Sequence, residues 1–170
     1  RDLSSKYDVR LLKKSDVPEI LELCTGNPLY YEYCHPSVSE ESIIADIAAL
    51  PEGKTRGDKY YIGYYDDGVL IAVMDIIMNF PEQNVAWIGF FMTKSSIQHR
   101  GIGKFIIDEL CSHLAINGTR EVRLTYMKDN PQCRGFWAKT EFQVVSEGED
   151  TEARSIFVAS RGIKNDNSYL

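Results

Sequence analysis

Residues 97–110, IQHRGIGKFIIDEL, place two glycines one residue apart immediately before an amphipathic helix, with basic residues on both sides. The first turn of a helix leaves backbone N–H groups without partners and carries a partial positive charge. Glycine lets an anion approach these groups without a Cβ atom in the way, and a phosphate is the usual ligand. The segment therefore predicts an anion site at Gly101 and Gly103, with Arg100, Lys104 and His99 adding positive charge.

Two better-known phosphate-binding motifs do not fit this segment. A P-loop requires G-x-x-x-x-G-K-[ST], but Phe105 follows Lys104 and no glycine lies five residues before Gly103. A dinucleotide-binding fingerprint requires G-x-G-x-x-G, and Ile106 occupies its third glycine position. The alternative that the residues leave open is a loop whose small side chains let the helix pack on a sheet.

The rest of the chain predicts the elements that must position this segment. Alternating apolar runs predict strands, and apolar residues at helical spacing between capping residues and Gly or Pro predict helices. Strands are predicted at 9–12, 59–66, 69–78, 84–92, 121–127, 141–147 and 154–160, and helices at 16–24, 39–50, 101–116 and 130–140. The tyrosine-rich segment 25–37 is predicted to be a loop. This order indicates an α+β domain with helices covering one sheet.

Composition limits the function. A chain of 170 residues suits one domain, 1–170, and a net charge of −6 argues against nucleic-acid binding through bulk charge. Apolar runs are too short to cross a bilayer, and the first ten residues do not resemble a signal peptide. Four scattered cysteines predict free thiols in a reducing cytoplasm, and three scattered histidines argue against a zinc site.

Two blocks of the sequence resemble a known family. The spacing Gln98-x-x-Gly101-x-Gly103, between a strand and a helix, resembles the signature [RQ]-x-x-G-x-[GA] of the GNAT superfamily of N-acetyltransferases. The stretch 121–145 resembles the family's next block, with FWAKTEF at 136–142 where the family has FY-x-K-x-GF. The resemblance covers about residues 59–145. It implies the GNAT-like, acyl-CoA N-acyltransferase fold, a single mixed, mostly antiparallel sheet of six to seven strands with helices on both faces.

The resemblance implies that acetyl-coenzyme A is a co-substrate, and no metal is expected. The amides of residues 99–104 would hold the pyrophosphate, and the free edge of the preceding strand would bind the pantetheine arm and polarise the thioester carbonyl. The residues implied in cofactor binding are Phe91, Met92, Thr93, Gln98, His99, Arg100, Gly101, Ile102, Gly103, Lys104, Asn130 and Trp137.

The implied reaction is acetyl transfer to a primary amine by direct attack through a tetrahedral intermediate. Many relatives carry a catalytic Glu in the strand before the signature, but Trp87 stands about there. The predicted base is therefore Asp75, or a water chain ending on it, with Glu32 and His35 as further options. The alternative for Asp75 is a solvated strand residue.

The acid is also unusual. Trp137 stands where relatives often have a Tyr that protonates the leaving thiolate, and an indole N–H is no titrating acid. Trp137 is therefore predicted to form a packing wall at the thiol end. Tyr126 is the predicted acid, with Tyr30, Tyr31 or Tyr33 as alternatives.

The segment NPLYYEYCHP lies where relatives build the acceptor pocket, so Tyr30, Tyr31, Glu32 and Tyr33 are predicted to bind a cationic amine through charge and aromatic faces. Packing between helices is their alternative role. The expected partner is a small-molecule or peptide amine, with neither nucleic acid nor membrane. Because relatives often form dimers, a homodimer is a further expectation. A non-catalytic acyl-CoA sensor and a purely structural domain are the alternative functions.

Overall fold

A computed structural model describes residues 3–165, in which seven strands form one sheet in the order β1-β2-β3-β4-β5-β7-β6. The strands are β1 Asp8–Leu11, β2 Lys59–Asp66, β3 Val69–Met78, β4 Val85–Thr93, β5 Glu121–Met127, β6 Gln143–Glu149 and β7 Ser155–Gly162. β4 and β5 are parallel, and the other neighbouring pairs are antiparallel. The predicted mixed, mostly antiparallel sheet is confirmed.

Five α-helices connect the strands of the described chain. They are α1 Val17–Thr25, α2 Pro28–Tyr33, α3 Glu40–Ala48, α4 Ile102–Ile116 and α5 Pro131–Lys139. Four of them were predicted, but the prediction of a loop at 25–37 was wrong because α2 occupies that segment. Its six residues are too few to show helical periodicity, although Pro28 is pre-organised for a first helical position. Within residues 3–165, no helix is long and apolar enough to span a bilayer.

The helices cover both faces of the sheet. On one face Ile106, Ile107 and Leu110 of α4 pack against a cluster that includes Met74 of β3. On the opposite face α1 and α3 pack against a second cluster that includes Val73. Successive side chains of a strand point to opposite faces, so β3 is buried on both sides and lies at the centre of the domain.

Strand β4 has an irregularity on each side, a β-bulge toward β3 and a short pairing with β5. Asp75 of β3 pairs with Phe90 and Ile76 pairs with Ile88, so Gly89 is the extra residue of a β-bulge. On its other side β4 pairs with β5 only from Val85 to Ile88. Residues 89–93 of β4 and 125–127 of β5 extend beyond this pairing. The two strands are therefore open to each other over their second halves.

The start of α3 offers a test of the helix boundary. Ser39 Oγ accepts from the Ser42 amide at 3.1 Å, and Ser42 Oγ accepts from the Ser39 amide at 2.9 Å. We expect Ser39→Ala to lower the free energy of unfolding by about 1 kcal/mol in urea titrations, because one orphan amide loses its acceptor. The exposed neighbour Ser37→Ala is the control and should change it by less than about 0.5 kcal/mol. Equal losses in the two variants would contradict the capping assignment.

Candidate functional site

A cleft of about 520 Å³ lies beside the end of β4, in the half of the strand that does not pair with β5. Its walls come from the end of β4, the loop before α4, the first turn of α4, one side of α5 and the start of α2. The lining residues are Asn27, Tyr30, Phe91, Met92, Thr93, Gln98, His99, Gly101, Gly103, Lys104, Pro131, Gln132, Cys133, Gly135, Phe136, Trp137, Lys139 and Thr140. Ten of the predicted cofactor, catalytic or substrate residues therefore meet in one place.

Aromatic rings form an apolar part of the cleft wall. Phe136 stacks on Phe91 with 5.8 Å between ring centroids, and Trp137 lies edge-on to Phe136 at 4.8 Å. Trp137 also contacts Phe142 at 5.1 Å and is 7% exposed. This agrees with the predicted packing role of Trp137. Such a wall suits the apolar parts of a ligand.

Sequence reasoning did not identify the contribution of α5 beyond Trp137. Cys133, Phe136 and Thr140 also line the cleft. Their spacing of three and four residues places them on one side of the helix, and that periodicity was available in the sequence.

The loop before α4 presents unpaired backbone amides. His99 and Gly101 have left-handed φ values of 62° and 78°, and Gly101 is the N-cap of α4. The first helical hydrogen bond is donated by the Phe105 amide to the Gly101 carbonyl at 3.0 Å. The amides of residues 99–104 donate to no other group within the described chain. Successive amides in such a turn form a concave anion site.

Gly101 and Gly103 are glycines for different structural reasons. A Cβ atom on Gly101 would meet nothing within 4 Å, so open space lies beside it and the positive φ is its constraint. A Cβ atom on Gly103 would lie 2.9 Å from the Phe136 ring. Gly103 therefore also allows α5 to pack against the start of α4, which is the packing alternative that the residues left open. That both glycines clear space for a phosphate stays a prediction.

Basic side chains surround the loop to different degrees. Lys104 lines the cleft but forms an ion pair with Asp108, one turn later, which also binds Arg161 at 2.8 Å. Arg100 is exposed and is not among the lining residues, and neither is Ile102. Their predicted roles in cofactor binding stay predictions.

The family is decided by a comparison with known sequences. The family model described as Acetyltransferase (GNAT) family matches residues 21–142, well over half of the chain. The chain belongs to the GNAT family of acetyltransferases. No curated protein matches it.

Solved GNAT structures share the fold. An acetyl transferase from Salmonella typhimurium that modifies the N-terminal serine of ribosomal protein L7/L12 is 17% identical, with a TM-score of 0.77 and coverage of 96% of this chain and 98% of that one. An acetyltransferase from Thermus thermophilus is 15% identical, with a TM-score of 0.75 and coverage of 93% and 97%. PaiA N-acetyltransferase from Thermoplasma acidophilum, in complex with coenzyme A, is 18% identical, with a TM-score of 0.67 and coverage of 92% and 99%.

Asp75, the base predicted for this GNAT domain, does not line the cleft. Its Oδ2 accepts from Lys59 Nζ at 3.1 Å, and the same Nζ donates to the Asp46 and Ala49 carbonyls at 2.7 and 2.8 Å. Asp75 Oδ1 is buried without a hydrogen-bond partner in the described chain. Burial raises the pKa of Asp75, and Lys59 opposes that rise. Asp75 is therefore one partner of a buried ion pair with Lys59. The alternative prediction, that Asp75 is a solvated strand residue, is wrong.

Tyr126, the predicted acid, is also absent from the cleft lining. Its ring packs edge-on against Phe157 at 5.7 Å, and burial raises its pKa. Tyr30 lines the cleft instead, with its ring 6.1 Å from Phe90 and 5.0 Å from Tyr31. Burial raises the pKa of Tyr30 well above its ordinary value, and the neighbouring Cys34 thiol raises it further.

The remaining predicted residues lie outside the cleft lining. Tyr31 packs against the core cluster under α1 and α3, while Glu32 is exposed and Tyr33 is half-buried. Asn130 is 1% exposed, and its Oδ1 caps α5 by accepting from the Gln132 and Cys133 amides at 3.0 and 3.2 Å. Asn130 is thus the N-cap of α5, and its predicted contact with the cofactor stays a prediction.

Two findings concern other chemistries. The four cysteines are free thiols, as predicted. Among residues 3–165, no cluster of three or more His, Cys, Asp or Glu side chains has the arrangement of a metal site.

The contact of Gly103 with Phe136 predicts a measurable cost. Gly103→Ala should lower the free energy of unfolding by about 1–3 kcal/mol in urea titrations, because its Cβ displaces the Phe136 ring. Phe136→Leu in the same chain should recover part of this loss. Gly135→Ala is the matched control, since its Cβ would meet nothing within 4 Å, and it should be neutral or stabilising by up to about 1 kcal/mol. A Gly103→Ala variant as stable as the wild type would refute the packing role.

Proposed function

We propose that this GNAT domain transfers the acetyl group of acetyl-CoA to a primary amine by direct attack through a tetrahedral intermediate. The observation that carries the proposal is the row of open amides at residues 99–104, which lies at the wall of the cleft. The N-terminus of a helix with free amides suits a diphosphate in both hydrogen bonding and charge. The left-handed conformations of His99 and Gly101 already orient these amides for a ligand, so binding would require no rearrangement of the backbone.

The pantetheine arm of the substrate fits the unpaired edge of β4. Beyond Ile88 this strand has no partner on the β5 side, so its N–H and C=O groups can bond an extended, amide-containing chain as a neighbouring strand would. Phe91 and Met92 lie in this stretch and line the cleft. The backbone N–H of Phe91 or Met92 is the proposed donor to the thioester carbonyl, where negative charge develops in the transition state.

The chemistry of the cleft wall favours an acceptor with a low amine pKa. The described lining residues include no Asp or Glu. An α-amine with a pKa near 8 is neutral in roughly a fifth of molecules at pH 7.4, whereas a lysine side chain with a pKa near 10.4 is neutral in about one in a thousand. We therefore propose the α-amino group of a peptide or small molecule as the acceptor. The Salmonella typhimurium relative, which modifies an N-terminal serine, offers support for this class.

Tyr30 is the proposed proton donor to the leaving thiolate. A tyrosine hydroxyl is protonated at neutral pH, and burial raises the pKa of Tyr30 further. A thiol with a pKa near 8.5 leaves as a thiolate without full protonation, so Tyr30 assists departure of the leaving group. General acid catalysis of this kind contributes roughly 10²–10⁴-fold, and the low pKa of the leaving group places Tyr30 at the lower end of that range.

Gly101→Asp tests the anion site. The variant places a carboxylate beside the open amides, and we expect at least tenfold weaker coenzyme A binding in calorimetry, about 1.4 kcal/mol. Gly118→Asp is the matched control, because Gly118 at the other end of α4 also has a positive φ, 95°, and open space beside it. The control shares the backbone strain and should bind normally. Equal affinities in both variants would refute the proposed diphosphate site.

Tyr30→Phe tests the reaction. With acetyl-CoA and a panel of peptides that carry either a free α-amine or only a lysine amine, the wild-type protein should release thiol with the α-amine peptides. Tyr30→Phe should lower kcat at least tenfold, because the proton donor is lost. Tyr126→Phe should change kcat less than twofold, since Tyr126 does not line the cleft. Coenzyme A binding without thiol release for any amine would refute the enzyme and favour a sensor.

A further inference from the structure

Asn27 lies between α1 and α2, and its side chain does not cap α2. It occupies the N-cap position of α2, but its side chain accepts no hydrogen bond from the first turn of that helix. Asn at an N-cap usually satisfies one of these amides. Its Nδ2 instead donates to the Leu23 carbonyl at 3.0 Å and to the Thr93 carbonyl at 3.1 Å. The side chain therefore bonds to α1 and to β4 rather than to the first turn of α2.

Gln98 completes the same network from the loop before α4. Its Nε2 donates to Asn27 Oδ1 at 2.7 Å and to the Thr93 carbonyl at 3.1 Å. Asn27 is 8% exposed, so loss of one partner would leave buried polar groups unsatisfied. The two side chains join the start of α2, the end of β4 and the residue that precedes the open amides.

The position of α2 depends on its ends. A helix of six residues has no stability of its own in water. At its start, Gly26 lies close to the turn that leads to Gln98, since a Cβ on Gly26 would be 3.4 Å from Ser95 Oγ. Within α2, Tyr30 is the residue that lines the cleft. We call residues 99–104 the anion loop. The hydrogen bond from Gln98 to Asn27 thus connects the anion loop to the helix that carries Tyr30.

We propose that Asn27 and Gln98 are positioning residues that couple occupancy of the anion loop to the placement of α2. An anion held by the amides of residues 99–104 fixes the backbone next to Gln98, and the hydrogen bond to Asn27 then holds α2 and Tyr30 at the cleft. By linkage, an acceptor that orders α2 strengthens coenzyme A binding by the same factor. This inference rests on the proposed function, because it needs coenzyme A in the cleft.

Amide hydrogen exchange with coenzyme A as the probe tests the coupling. At a coenzyme A concentration 20 times the dissociation constant of each protein, we expect wild-type exchange in residues 28–34 to slow at least fivefold. In Gln98→Met and Asn27→Ala the same occupancy should slow it less than twofold. A merely structural role would change exchange in the free protein but not its response to coenzyme A.

Asn117→Ala is the matched control for Asn27→Ala. Asn117 follows α4 and donates to the His113 carbonyl four residues earlier at 2.8 Å, as Asn27 donates to Leu23, but Asn117 is not among the residues lining the cleft. This variant should keep the full fivefold response. If either cleft variant does not fold, the other decides the result.

Three outcomes are distinct. Loss of the response in both cleft variants, with Asn117→Ala normal, supports the coupling. A wild-type response that persists in both cleft variants, or no response in wild-type protein saturated with coenzyme A, overturns the coupling and leaves the proposed function intact. A wild-type protein that does not bind coenzyme A overturns the proposed function itself.

Discussion

The cleft depends on the early end of hydrogen bonding between two parallel strands. β4 and β5 pair over four residues each, Val85–Ile88 with Glu121–Leu124, and are then open to each other. The bulge at Gly89 lies where this pairing ends, and a Cβ on Gly89 would be 2.9 Å from Asp75 Oδ2. A larger residue at this position would displace the Asp75 carboxylate and disturb its ion pair with Lys59.

The anion loop depends on the same geometry. Because β4 ends at Thr93 and its edge is free, the chain turns through Ser95–Ile97 into residues whose amides have no partner within the described chain. Unpaired backbone groups are costly when buried, and here they remain accessible at a cleft wall. The structure thus retains unsatisfied donors at the one place where a diphosphate substrate is proposed to bind.

Features that depend on neighbouring residues could be predicted from the sequence. The Gly-x-Gly start of α4, the Ser39 cap of α3 and the Asn130 cap of α5 are local, and the structure has all three. The family blocks placed most of the cleft wall on the correct elements. The period of the apolar pattern was enough to distinguish strands from helices.

Features that depend on distant contacts could not be predicted. The ion pair that occupies Asp75 joins residues on two strands and the last turn of α3, and no local pattern indicates it. Gly103 is small because of Phe136, a residue of another helix. The helix α2 forms in a segment without periodicity, and its side-chain contacts to β4 and the anion loop stabilise it. Tyr30 consequently could not be separated from its neighbouring tyrosines by sequence alone.

The most direct measurement is a titration of ¹⁵N-labelled protein followed by amide NMR, with coenzyme A and, separately, with pantetheine, which lacks the diphosphate. The account predicts that coenzyme A shifts the amide resonances of residues 99–104, including those of Gly101 and Gly103, and that saturating pantetheine leaves them in place while shifting those of the β4 edge. Coenzyme A binding that leaves the amides of residues 99–104 unchanged would contradict the account.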